Sequence, residues 1–185
     1  MSKIQEEKKL LRKKVEALKK SYTNEELVIR STEVQSVIEI TGIFQSAKNI
    51  LIYNGMNDEV QTLDFIDRWK NEKNFYLPVV SGDDLFFKKY ISSSLLEKSD
   101  YGVWEPTGDN FTDYKSIDLI IIPGVAFDRN KNRLGRGKGF YDRFLKDVDA
   151  PKMGICFEFQ LLDKIPVEAN DIKMDYIVSE NDFIW

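Results

Sequence analysis

Residues 118–123, Asp-Leu-Ile-Ile-Ile-Pro, set aliphatic side chains at consecutive positions between a turn-forming acid and a proline. A strand apolar on both faces belongs in the middle of a parallel sheet covered on both sides. Around it the apolar pattern alternates between short strands and helices. Strands are expected over residues 48–53, 74–80 (ending near Pro78), 85–91, 153–157 and 175–178. Helices are expected over 4–20, from a Thr23-Asn24-Glu25-Glu26 capping box to about Gly42, over 62–72 and over 139–147. Such alternation predicts an α/β fold, an open and mostly parallel sheet with helices on both faces. With no repeat, linker or low-complexity tract, residues 1–185 read as a single domain.

The first helix is amphipathic: Ile4, Leu11, Val15 and Leu18 fall within one stripe of about 60°, and Lys8 and Arg12 lie along its edge. The chain contains no histidine, which removes histidine bases, Ser-His-Asp triads and most zinc sites. A metal would need oxygen ligands, which favours Mg2+. One cysteine, Cys156, excludes an internal disulfide and fits a reducing compartment. No apolar run approaches the ~20 residues of a membrane helix, and residues 1–20 are too charged for a secretory signal. A cytoplasmic protein with no membrane partner is expected. The net charge of −4 gives no general reason to expect nucleic acid.

Local charge is different. After residues 118–123 comes PGVAFDRNKNRLGRGKGFYD, residues 123–142, leaving the strand at the end where open α/β sheets bind ligands. Gly135, Gly137 and Gly139 alternate with Arg136 and Lys138, and seven Arg or Lys against two Asp give residues 128–146 a charge of +5. Glycines let backbone N–H groups approach phosphate oxygens, and interleaved cations neutralise them. The spacing matches neither a Walker A loop nor a dinucleotide fingerprint. A solvated surface turn has a similar composition.

This run resembles the signature of the 5-formyltetrahydrofolate cyclo-ligase (5,10-methenyltetrahydrofolate synthetase) family, with Asn132 standing where the family commonly has glycine; asparagine tolerates positive φ. The resemblance extends to the Lys8/Arg12 pair, to residues 54–62, to Tyr101-Gly-Val-Trp104-Glu-Pro106 and to Asn170-Asp171-Ile-Lys-Met-Asp175. It implies a fold related to the sugar-phosphate isomerase and CoA-transferase type. It implies an enzyme that uses ATP to convert 5-formyltetrahydrofolate, with or without a polyglutamate tail, to 5,10-methenyltetrahydrofolate, releasing ADP and phosphate. Lys138 and Arg136 would brace the transferring phosphoryl group. Lys8, Arg12, Arg133, Gly135, Gly137, Gly139 and Tyr141 would join them around ATP, and Asp142 and Asp171 would hold Mg2+. Asn54, Glu59, Trp104 and Phe140 would meet the folate, and a monomer is expected.

Each assignment competes with a plainer one. Lys8 and Arg12 suit a solvated helix face, Asp142 a helix first turn, Asp171 an ordinary loop, Glu59 a surface acid, and Trp104 and Phe140 a core. Another phosphate-handling enzyme of the same fold and a nucleic-acid-binding module are the competing functional readings. The second predicts strongly salt-dependent oligonucleotide binding.

Overall fold

The computed structural model describes residues 2–99 and 102–185. The chain opens with helices α1 (Lys3–Lys19), α2 (Asn24–Glu39) and α3 (Gly42–Ser46), then strand β1 (Asn49–Ile52), helix α4 (Leu63–Trp69) and strands β2 (Asn74–Ser81), β3 (Asp84–Lys89), β4 (Leu96–Lys98) and β5 (Trp104–Pro106). Strands β6 (Leu119–Pro123), β7 (Ala126–Asp128) and β8 (Arg133–Leu134) lead into helix α5 (Phe140–Phe144). Strands β9 (Lys152–Ile155), β10 (Leu161–Leu162), β11 (Tyr176–Val178) and β12 (Phe183–Ile184) complete the order.

Seven strands form the main sheet in the order β12-β11-β9-β6-β1-β2-β3. The pairs β11/β9, β9/β6, β6/β1 and β1/β2 are parallel, and the edge strands β3 and β12 run antiparallel. The expected mostly parallel sheet is therefore present, with β6 at its centre. Its side chains alternate as a two-faced strand requires. Leu119 and Ile121 pack with Leu27, Val34 and Ile38 of α2 and Phe65 of α4, while Ile120 and Ile122 pack on the other face with Leu145, Val148 and Phe127. Smaller sheets β10-β7-β8 and β4-β5 stand beside the main one.

Several elements depart from the sequence expectation. The second helix stops at Glu39, because the Thr41 side chain accepts the Phe44 N–H and caps the separate helix α3. Strand β2 runs through Pro78 to Ser81, since β1 pairs with it only as far as Tyr76 and leaves no strand on that side to need the missing N–H donor. Helix α5 has only five residues. On α1 the buried positions are Lys8, Val15 and Lys19, with Leu11 and Arg12 half-buried, while Leu18 is exposed. The helix lies on the small sheet, where Val15 meets Ala126, Leu134 and Ile165. That docking turns Lys8 and Arg12 inward from the edge of the stripe.

Candidate active site

A cavity of about 850 Å³ opens where β1, β2 and β6 end. Tyr53, Asn54, Pro78, Val80, Pro123 and Gly124 come from those strand ends, and α1, β8, the glycine loop and the 168–171 turn close it from the other side. Open α/β sheets place ligands at this end because the strands deliver loops of opposite direction to one crevice.

The basic wall is pre-paired. The Lys8 ammonium, only 6% exposed, donates to Glu168 Oε2 at 3.1 Å and to a carboxylate oxygen of Asp171. Arg12 Nε donates to the Gly135 carbonyl at 2.8 Å, and burial lowers the pKa of its guanidinium, against the pull of Asp171 and Glu168. Arg133, 7% exposed, donates from Nη2 to Asp142 Oδ2 at 2.8 Å and from Nη1 to the Pro123 carbonyl, and its Nε has no partner among the described residues. Arg136 reaches across the cavity to Asp58 and Glu59.

The glycine loop is held by its carbonyls. Arg12 takes that of Gly135 and Arg143 Nη1 that of Lys138, with Arg143 Nη2 on the Asp83 carbonyl. Gly137 and Gly139 have φ of 101° and 71°, a region where side chains are strained, which explains glycine at both positions. Lys138 stands at the exposed rim with its ammonium 5.9 Å from the centre of the Phe140 ring. Tyr141 lies under the Arg133 guanidinium, and burial first, then Glu59, pushes its phenol pKa up.

The turn before the loop corrects one expectation. Its left-handed residue is Lys131, at φ 65°, and not Asn132. The fully buried Asp128 carboxylate accepts the N–H groups of Asn130, Asn132 and Ile165 and the Asn132 side-chain amide, which leaves Lys131 at the apex. Asp128 is thus the organiser of this hairpin. A small acid followed two and four residues later by asparagines was the signal for it.

Cavity-lining positions include Lys8, Arg12, Asn54, Glu59, Arg133, residues 135–142 and Asp171. Trp104 is not among them. Strand alternation turns Val103 and Glu105 to the cavity and leaves Trp104 52% exposed on the other side, where its carbonyl accepts from Asn54 Nδ2. Tyr101 lies outside the described residues. The apolar wall of Met56, Pro78, Val80, Leu85 and Val103 was not expected, because it comes from two strands and two loops with no shared motif.

For a metal, Asp142 and Asp171 share one wall: Asp142 Oδ1 accepts the N–H of Ile172, the residue after Asp171, at 3.3 Å. Among the described residues no group of three side chains could hold an ion alone. One or two carboxylates beside nucleotide phosphates is the usual arrangement for magnesium. The pair suits that ion together with phosphates and not without them.

Against known proteins, the family model described as the 5-formyltetrahydrofolate cyclo-ligase family matches residues 4–180. The chain belongs to this family. A 5-formyltetrahydrofolate cyclo-ligase of Mus musculus is 34% identical over 154 residues, 75% of this chain and 76% of its own length. One of Haemophilus influenzae is 32% identical over 139 residues, 70% and 74% of the two chains. Among solved structures, the 5,10-methenyltetrahydrofolate synthetase of Aquifex aeolicus superposes with a TM-score of 0.85 at 33% identity, covering 95% of this chain and 91% of its own. The synthetase of Mycoplasma pneumoniae superposes at 0.75 and 25% identity, covering 94% and 99%.

Proposed function

We propose that the chain is a 5-formyltetrahydrofolate cyclo-ligase that consumes ATP, forms 5,10-methenyltetrahydrofolate and releases ADP and phosphate. The observation that carries the reading is the cavity's two-sided character, cations and glycines on one wall and apolar side chains on the other, in a chain of this family. A triphosphate suits the first wall and flat rings suit the second.

A formamide oxygen is a poor leaving group. It attacks the γ-phosphorus, the new O–P bond forming as the bond to ADP breaks. The neighbouring amine then attacks the activated carbon, and phosphate departs with the former formyl oxygen. Such a transfer needs positioning and charge neutralisation more than a strong base. In this assignment Lys138 and Arg136 brace the phosphoryl group, Lys8, Arg12 and Arg133 with residues 135–139 hold the phosphates, and Tyr141 supports Arg133. Asp142 and Asp171 would hold Mg2+, which neutralises phosphate charge when bound. Glu59 with Asn54 and Phe140 serves the folate, and Trp104, facing away from the cavity, acts only through its backbone.

The basic loop is tied to acids at Arg133 and Arg136, which supports a small anionic ligand over nucleic acid. No helix among the described residues is long and apolar enough to cross a membrane. One domain over residues 1–185, a monomeric state, a cytoplasmic location and kinship with the sugar-phosphate isomerase and CoA-transferase type of fold complete the proposal.

The test is direct. Purified protein is mixed with 5-formyltetrahydrofolate, ATP and magnesium, and the near-ultraviolet absorbance of the methenyl product is followed. Product that appears only with ATP supports the reading. Absence of product with ATP still bound would move the assignment to another phosphate-handling enzyme.

A further inference from the structure

Five carboxylates among the described residues line the cavity: Glu59, Glu105, Asp142, Glu168 and Asp171. Four of them are ion-paired. Glu59 accepts from Arg136, Asp142 from Arg133, and Glu168 and Asp171 from Lys8. Glu105 is the exception among the described ion pairs. It is half-buried on β5, and its carboxylate takes one long hydrogen bond, 3.5 Å from the Val80 N–H, on the apolar wall beside Pro78, Leu85 and Val103.

The local fold gives no reason for an acid there. Glu97 of β4 stands directly opposite Glu105 in the antiparallel pair, and like charges facing each other across a ladder are destabilising. The other charged groups near it are Lys88 of β3 and Lys98 of β4, in a shallow hollow shared with Glu105. Neither lies within ion-pair reach among the described residues. The Asn54 amide, bonded to the Trp104 carbonyl at 3.1 Å, ties β5 to the loop after β1 and fixes the direction in which the next residue points.

Ring closure requires a proton acceptor. The attacking amine carries a hydrogen that must leave as its lone pair forms the new C–N bond. Histidine is absent. Among the described residues the cavity tyrosines are Tyr53 and Tyr141, and burial pushes both phenols up, which holds them protonated.

We infer that Glu105 is the general base of the ring-closing step, an assignment that rests on the function proposed above. The amine nitrogen bonds to the activated formyl carbon and its proton passes to the Glu105 carboxylate. The C–O bond breaks as the C–N π bond forms, and phosphate leaves with that electron pair. Glu105 returns the proton to solvent, and the phosphate ends as hydrogen phosphate, so charge and atoms balance. Glu105 touches the reacting nitrogen and is a catalytic residue in that sense.

The test compares wild type with Glu105→Gln and Glu105→Ala, reading ADP by rapid quench and methenyl product by absorbance. Loss of a general base lowers kcat by about 100-fold or more, with the folate KM held within about twofold. In Glu105→Gln, which keeps an acceptor for the Val80 N–H, ADP forms in the first turnover while methenyl product lags. Added formate restores the Glu105→Ala rate in proportion to its concentration. A raised KM with unchanged kcat would make Glu105 a recognition group and overturn the assignment, as would parallel loss of ADP and product without formate rescue, or wild-type rates. If Glu105→Ala does not fold, the lag in Glu105→Gln decides alone. A wild-type protein that makes no methenyl product overturns the underlying function itself, an outcome separate from any behaviour of the variants.

Discussion

Arg136 donates from both Nε and Nη2 to a single oxygen of Glu59, at 3.0 and 2.8 Å, and so joins the basic wall of the cavity to the loop after β1. Glu59 is 8% exposed and its other oxygen holds the Met56 N–H. If phosphates draw Arg136 away, a buried carboxylate is left ready for a donor on the second substrate. A non-hydrolysable ATP analogue is therefore expected to tighten folate binding by about fivefold or more, and folate to tighten the analogue by the same factor. Calorimetric titration of each ligand with and without the other checks this, and Arg136→Ala should erase the difference.

Lys138→Ala is expected to lower kcat by roughly 100- to 1,000-fold, the scale of removing one group that stabilises developing charge. The residue is exposed at the loop rim, so circular dichroism and the unfolding midpoint should stay close to wild type. Turnover at the wild-type rate would remove it from the mechanism.

Asp142→Asn weakens the charge pair that holds the buried Arg133, whose Nε has no partner among the described residues. A cost of about 1–3 kcal/mol in stability follows from leaving a buried donor poorly satisfied. Activity should fall and require more magnesium, and chelator should abolish wild-type activity until magnesium is restored. Denaturant unfolding and a magnesium titration of the rate give the two readings.

At Asp58, burial works to raise the carboxyl pKa, and Lys19 and Arg136 outweigh it, so the net shift is downward. A carboxyl lowered on folding adds stability that is present above its unfolded value, about 3.9, and lost as pH falls through the lower folded value. Urea midpoints taken from pH 6 down to pH 2 should therefore drop more for wild type than for Asp58→Asn.

Lys131 holds a left-handed backbone at φ 65°. For a residue with a side chain this costs about 1–2 kcal/mol, partly offset by the extra chain entropy of glycine in the unfolded state, about 0.5–1 kcal/mol. Lys131→Gly is expected to raise stability by roughly 0.5–1 kcal/mol, or about 1–4 °C in Tm for a chain of this size. A scanning-calorimetry comparison checks the sign.

The parts of the fold legible in the sequence were those with a strong period or a long run. Residues 118–123 announced β6 because both faces of that strand are buried, and the alternation of glycine and cation marked the loop because few other environments ask for it. Lys8 and Arg12 were visible as a pair, but their inward turn depends on how α1 docks against Val15's partners, which no local pattern encodes. The facing of Trp104 and Glu105 was hidden for a similar reason: a three-residue strand has too few positions to set its phase. Arg136 was legible as a cation, whereas its attachment to Glu59, 77 positions away, is a property of the assembled sheet.

The contact of Lys8 with Asp171 spans 163 positions, and Val15 rests on residues 126, 134 and 165. Helix α1 is thus seated by residues far along the chain. While the strands ahead of β7 are already able to pair, α1 has Asp58 for Lys19 but not yet the surface on which Val15 rests. Contacts so distant in the chain are slow to form, and the cavity wall that Lys8 and Arg12 complete is assembled late in synthesis, when the 168–171 turn emerges and draws α1 home.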